Sequence, residues 1–144
     1  MRYPVNVRLH GVHMKNTILM VDDNEDMREI FAELFENTDI KVICFSNVLD
    51  AKVHLINATN ASQVKAIISD LMMGPTDGLE FLSYVKAKPD LADIDFYLLT
   101  GAAITVFEPF LRPFVLKGII EKPFDGKALV SMFTNANTRY QKAA

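Results

Sequence analysis

Five short apolar runs, spaced by segments of helical period, set the class of fold open to this chain. Thr17-Ile-Leu-Met-Val21 runs straight into Asp22-Asp23. Ile40 to Phe45 forms a second run, and Val64 to Ser69 a third that ends at Asp70. Asp95-Phe-Tyr-Leu-Leu99 ends at Thr100-Gly101, and Ile119-Ile120 ends at Glu121-Lys122-Pro123. Unbroken runs this short suit strands buried on both faces, whereas a strand with one wet face alternates. Strands separated by helices imply βαβ units, hence an α/β fold with a doubly wound parallel sheet covered by helices on both sides.

The helices read as follows. Asn24 can cap a helix whose first turn holds Glu25 and Asp26, and Met27, Ile30, Phe31, Leu34 and Phe35 recur at helical spacing. Val48 to Ile56 reads as a helix with Leu49, Val53 and Ile56 on one apolar face; His54 in it is a solvent-side or half-buried residue. After the turn-rich Gly74-Pro-Thr-Asp-Gly78, Leu79, Leu82, Tyr84 and Val85 mark a third helix that stops before Pro89. The last helix carries Leu129, Met132, Phe133, Ala136 and Tyr140. The helix between strands four and five is irregular. Thr105-Val-Phe-Glu108 has the form of a capping box, but Pro109 and Pro113 follow, so it should start late, kink or be short. There Phe107, Phe110 and Phe114 are expected to turn inward, and Val106, Pro109, Pro113 and Leu116 outward.

Composition excludes several classes. Half of the 144 residues are apolar and 23% are charged, enough to build a core and too apolar for a disordered chain. The net charge of −3 argues against direct nucleic-acid binding, which normally needs a basic excess. The lone cysteine, Cys44, lies in an apolar run and reads as a core residue. No run of apolar residues is long enough for a membrane-spanning helix. Residues 1–16 lack the unbroken apolar stretch of a secretory signal, so they read as a flexible extension of a cytoplasmic protein. His10 and His13 in that extension have no further Cys or His cluster to complete a metal site.

Ligands of doubly wound sheets bind beyond the carboxyl ends of the strands. Asp22, Asp23, Asp70, Thr100 and Lys122 all fall there. Three neighbouring carboxylates repel one another, and a hard cation such as magnesium relieves that conflict. A carboxylate can accept a phosphoryl group, while an ammonium and a hydroxyl hold phosphoryl oxygens. A hydrolase with an aspartate nucleophile would call for Asp-x-Asp after the first strand, and Asp22-Asp23-Asn24 lacks that spacing.

From about Thr17 to Gln141 the chain resembles the receiver domain of two-component response regulators. The motifs are Ile18-Leu-Met-Val-Asp22-Asp23-Asn24, Ile68-Ser-Asp70-Leu-Met-Met73, Asp77-Gly78, Leu99-Thr100-Gly101 and Glu121-Lys122-Pro123-Phe124. The resemblance implies a receiver domain over 17–142 with the flavodoxin-like strand order 2-1-3-4-5. It implies Asp70 as phosphoacceptor, with Lys122 and Thr100 beside the phosphoryl group. Magnesium would be held by Asp22, Asp23, Asp70 and the backbone carbonyl of Met72. The Lys122-Pro123 bond would be cis, and Gly101 and Ile119 would belong to the switch region. Such a domain is not an enzyme beyond slow self-dephosphorylation. Its donor is a sensor histidine kinase or a histidine phosphotransfer protein. Its target docks on the face made by the helix between strands four and five, the fifth strand and the last helix, where a weak homodimer is also conceivable. The chain departs from the family at Gly74, where proline is frequent, and at Ile119, where an aromatic residue is frequent. Rival readings are a pseudo-receiver that never takes phosphate, which would be marked by loss of an acid or the lysine, and a receiver segment of a larger regulator or hybrid kinase.

Overall fold

The computed structural model describes residues 15–73, 77–101, 105 and 107–134. Among these, the elements are β1 (Thr17–Val21), α1 (Glu25–Leu34), β2 (Lys41–Phe45), α2 (Val48–Ile56), α3 (Ala58–Ser62) and β3 (Val64–Asp70). They continue with α4 (Asp77–Ala87), β4 (Asp95–Thr100), α5 (Glu108–Leu111), β5 (Gly118–Glu121) and α6 (Gly126–Thr134). The five strands form one parallel sheet in the order β2-β1-β3-β4-β5.

Burial along the strands explains why the sequence showed unbroken apolar runs. All of β1 is buried, as are nearly all of β3 and β4, because these three lie inside the sheet with helices on both sides. The edge strands β2 and β5 are only partly covered. Strand alternation divides the core into two layers. Leu19, Val21, Ile67, Phe96 and Leu98 pack with residues of α2, α4 and α5, including Ala51, Leu55, Phe81, Val85 and Leu111. Ile18, Met20, Ile68, Tyr97, Leu99 and Ile120 pack with Phe31 and Phe35 of α1 and Leu129 and Phe133 of α6. In this second layer Phe133 lies edge-on to both Phe35 and Tyr97, with ring centroids 6.1 and 5.2 Å apart.

The caps follow the side chains. Asn24 opens α1 by accepting the Met27 N–H at 2.9 Å, and Asn47 opens α2 by accepting the Asp50 N–H at 2.8 Å. Asn57 closes α2 and opens the short α3, a helix absent from the sequence reading.

Three expectations need correction, and one helix face is given its direction. The second strand begins at Lys41, not Ile40. The apolar stripe Leu49, Val53 and Ile56 lies on α2, but the buried side chains of that helix are Val48, Ala51 and Leu55, and the stripe faces outward. The reason is the register of the Asn47 cap, which turns the smaller Ala51 toward the sheet. The Thr105 capping box does not form. The N-cap of α5 is Phe107, without a side-chain cap, and Pro109 sits in the first turn, the one place where its missing N–H costs nothing. Finally, Phe107, Phe114 and Leu116 pack against the core with Leu111, whereas Phe110 is exposed, because one turn of helix presents only one inward position. Gly74, Pro75, Val106, Ala136 and Tyr140, and the histidines at 10 and 13, lie outside the described residues.

Candidate functional site

Strand parity brings the chemistry together. Asp22 lies two residues beyond Met20, Asp70 two beyond Ile68, and Lys122 two beyond Ile120, and those three residues line the same layer. Side chains alternate along a strand, so all three polar groups emerge on one side at the carboxyl end of the sheet. The carboxylate oxygens of Asp22, Asp23 and Asp70 come within 4.8 Å of one another. The Lys122 ammonium stands 3.4 Å from Asp70 Oδ1 and 3.5 Å from Asp22 Oδ2, bridging two of the acids. Its backbone N–H donates to the Thr100 carbonyl at 2.8 Å, and the Lys122-Pro123 bond is cis.

Each acid is differently placed. Asp22 is completely buried. Its Oδ1 accepts the Asn24 N–H at 2.9 Å, and Arg28 Nη1 donates to its backbone carbonyl at 2.9 Å. Its Oδ2 has no hydrogen-bond donor. Asp23 is exposed and Asp70 is 7% exposed. Burial, and then the nearby Asp22, push the Asp70 carboxyl above the usual carboxylate range, while Lys122 pulls the other way. Three carboxylates around one ammonium leave the site two formal negative charges in excess.

That donor set fits a magnesium ion. The ligands are hard oxygens from carboxylates, one of them an oxygen buried without a hydrogen-bond partner, and the excess charge is negative. Asp22, Asp23 and Asp70 would hold the ion. Met72 follows on the loop after β3 with its side chain half exposed. We expect titration calorimetry to show magnesium binding that weakens at least about tenfold in Asp23→Asn, since a ligand and a charge are lost together. Unchanged affinity would remove Asp23 from the site.

The remaining candidates are placed as follows. Thr100 is buried at the end of β4, next to Leu99, which pairs in register with Asp70. Gly101 is exposed, and a Cβ there would stand 3.7 Å from Lys122 Cβ, an ordinary contact. Ile119 is 40% exposed on β5, where it lines a groove with Tyr97, Leu129 and Met132. Cys44 is half buried with Sγ 3.5 Å from the Arg28 carbonyl, and burial pushes its thiol up, away from thiolate chemistry. His54 lies partly buried against Phe45. The sequence reading missed Arg28, which ties α1 to the Asp22 backbone, and the role of Gly78. A Cβ on Gly78 would lie 2.5 Å from the Asp70 carbonyl oxygen and 2.6 Å from Leu71 Cα. Only glycine lets the start of α4 press on the backbone that carries Asp70.

Known proteins share this architecture. The chemotaxis response regulator CheY4 of Vibrio cholerae superposes with a TM-score of 0.70 over 84% of this chain and 96% of its own, at 20% identity. A response regulator receiver protein from Pseudomonas putida gives 0.72 over 84% and 97%, at 21% identity. Among curated relatives, hybrid signal transduction histidine kinase D of Dictyostelium discoideum is 28% identical over 128 residues, which are 89% of this chain and 8% of that protein. Chemotaxis protein CheV1 of Helicobacter pylori is 26% identical, over 87% of this chain and 40% of that protein. Response regulator Rre1 of a Synechocystis strain is 27% identical, over 89% and 54%. This chain thus spans from under a tenth to about half of the length of those relatives. The profile of the response regulator receiver domain matches residues 18–134, from β1 through the last described helix. With that match laid over a 2-1-3-4-5 sheet and an acid cluster at its carboxyl edge, the chain belongs to the response regulator receiver domain family.

Proposed function

We propose that this receiver domain takes a phosphoryl group from a phosphohistidine donor onto Asp70, with magnesium, and passes the signal on by protein contact. The observation that supports this reading above others is the cluster itself: three carboxylates within 4.8 Å, with one ammonium bridging Asp70 and the buried Asp22. In the transfer, an Asp70 carboxylate oxygen attacks phosphorus, the bond from phosphorus to the donor's imidazole nitrogen breaks, and the imidazole leaves with the electron pair. Magnesium, when bound, neutralises charge on the phosphoryl oxygens. The Lys122 ammonium, already beside Asp70 Oδ1, stays with the negative charge as it moves onto the acceptor. The Thr100 hydroxyl is the nearest hydroxyl along β4 to supply a further hydrogen bond.

The domain is a phosphoacceptor, with no turnover beyond slow loss of its own phosphoryl group. Its donor is a histidine kinase or a phosphotransfer protein of the cytoplasm. All three acids and the lysine are kept, which favours this reading over a pseudo-receiver. For output, Tyr97, Ile119, Phe124, Leu129 and Met132 line a shallow apolar groove of about 320 Å³ beside β5 and α6. Ile119 has neither a ring nor a hydroxyl with which to change hydrogen-bond partners, so the response is carried by the proline-bearing segment 105–117.

The test is incubation with phosphoramidate, with and without magnesium, read by intact mass. One phosphoryl mass should appear in the presence of magnesium, and amide exchange over 105–117 should change in that sample. No gain of mass would overturn the reading.

A further inference from the structure

Arg28 stands against the local preferences of its helix. It is the only basic residue of α1, and it lies at the end of the first turn, where the free N–H groups of a helix favour acids and disfavour a cation. Glu25, three residues back, is the acid best spaced to pair with it. Yet among the described residues Arg28 takes part in no ion pair. Its guanidinium instead donates from Nη1 to the backbone carbonyl of Asp22, at 2.9 Å. A choice that local preference opposes points to a use beyond the helix.

We propose that Arg28 is a positioning residue for the magnesium site, setting the direction of Asp23 by holding the peptide that joins Asp22 to Asp23. The inference rests on the metal site proposed above. Asp22 needs no such help. Its side chain is wholly buried, its Oδ1 accepts the Asn24 N–H at 2.9 Å, and its own N–H donates to the Phe45 carbonyl at 3.1 Å. Asp23 is exposed, and among the described residues its carboxylate accepts no hydrogen bond. Its direction is therefore set through its backbone. A peptide unit is planar, so a carbonyl oxygen held in place sets the plane in which the N and Cα of the next residue lie. The oxygen that Arg28 holds is the one whose plane carries Asp23. The other end of this brace is firm. The Arg28 N–H donates to the Asn24 carbonyl at 3.2 Å, and Cys44 Sγ of β2 lies 3.5 Å from the Arg28 carbonyl. Three residues on, Phe31 is completely buried.

Charge and position predict opposite signs. A guanidinium beside a cation site repels the ion, so by charge alone its removal should tighten magnesium binding. As a brace, its removal frees Asp23 and weakens binding. Groups that orient metal ligands commonly change affinity by about 10- to 100-fold.

The test is calorimetric titration with magnesium chloride, with no phosphodonor present. Arg28→Met, which keeps the apolar stem, should bind magnesium about tenfold more weakly than the wild type. Arg28→Lys, which keeps the charge and a donor for the carbonyl, should stay within about threefold of the wild type. In Asp23→Ala no ligand remains to be aimed, so adding Arg28→Met there should cost less than about twofold further. Thermal unfolding of the same variants separates out a merely structural role, which would lower the melting temperature equally with and without magnesium and leave the affinity unchanged. Equal or tighter binding in Arg28→Met would overturn the proposal. So would a loss in Arg28→Lys as large as in Arg28→Met, or a loss on adding Arg28→Met to Asp23→Ala as large as in the wild type. If Arg28→Met does not fold, Arg28→Gln decides on the same criteria, since its shorter side chain stops short of the carbonyl. A wild type that binds no magnesium would overturn the metal site and this inference with it. That result is distinct from failure of the brace alone, in which the wild type binds and Arg28→Met binds equally well.

Discussion

Asp70→Asn is expected to abolish phosphoryl labelling by phosphoramidate and, at the same time, to raise the melting temperature at pH 7.5 without magnesium. The first effect follows from loss of the nucleophilic oxygen that Lys122 faces. The second follows from the sign of the Asp70 shift. Burial and Asp22 lift its carboxyl above the ordinary value of 3.8, so the folded state holds this proton more tightly than the unfolded chain does. Stability of the wild type therefore falls as pH rises from the ordinary value through the lifted one, and the full penalty remains at neutral pH. Asparagine carries no charge and escapes that penalty. A gain of roughly 2–4 °C is expected at pH 7.5, shrinking to nothing in acid near the ordinary carboxylate value. Magnesium should narrow the gap at pH 7.5, because the cation relieves the same repulsion in the wild type. A melting temperature that falls in Asp70→Asn across this range would show that the Lys122 pairing outweighs the repulsion. Labelling that persists would move the acceptor elsewhere.

Gly78→Ala is expected to cause the largest loss of stability among glycine-to-alanine changes at the described glycines. The new Cβ would meet backbone atoms at 2.5 and 2.6 Å, and backbone at the end of a central strand cannot yield without moving Asp70. Overpacking of this kind costs about 3 kcal/mol, or about 10 °C in melting temperature. Gly126→Ala is the control. Its Cβ would come 2.7 Å from Leu34 Cδ2, a nominal overlap of similar size. There the obstacle is the tip of a flexible side chain, and alanine favours the helix by up to about 1 kcal/mol. Thermal unfolding of the two variants should separate them clearly. A loss of less than about 1 kcal/mol in Gly78→Ala would mean that α4 can lift from the end of β3.

The layout of the fold was largely legible because it rests on burial, and burial leaves a mark in composition. Strands covered on both faces had to be apolar throughout, and β1, β3 and β4 were readable for that reason. Asn24 likewise announced α1, since an amide side chain at that point meets the free N–H groups of the first turn. Which face of α2 turns inward was not legible, because apolar residues repeat at helical spacing on both sides of that helix, and only the sheet decides which side it covers. The α5 segment was read correctly as short and wrongly as to which phenylalanines turn inward. Two prolines forbid a regular helix, but they do not specify the direction of the single turn that remains.

The chemistry of the site divides in the same way. Sequence by itself determined the inventory: three acids, a hydroxyl and a lysine at strand ends, in an order and context that resemble receivers. It determined this much because strand ends are local, and each polar residue stands where an apolar run stops. Only the tertiary structure decided that Asp22 is the wholly buried acid and Asp23 the exposed one, and that Lys122 bridges Asp22 and Asp70. Those facts depend on strands that are neighbours in space and remote in sequence, on the Asn24 N–H that holds the Asp22 carboxylate and on the Arg28 side chain that holds the Asp22 backbone carbonyl. The same holds for Gly78, which the sequence offers only as part of the Asp77-Gly78 motif. Its necessity lies in the approach of α4 to the backbone of β3, a distance that no local pattern encodes.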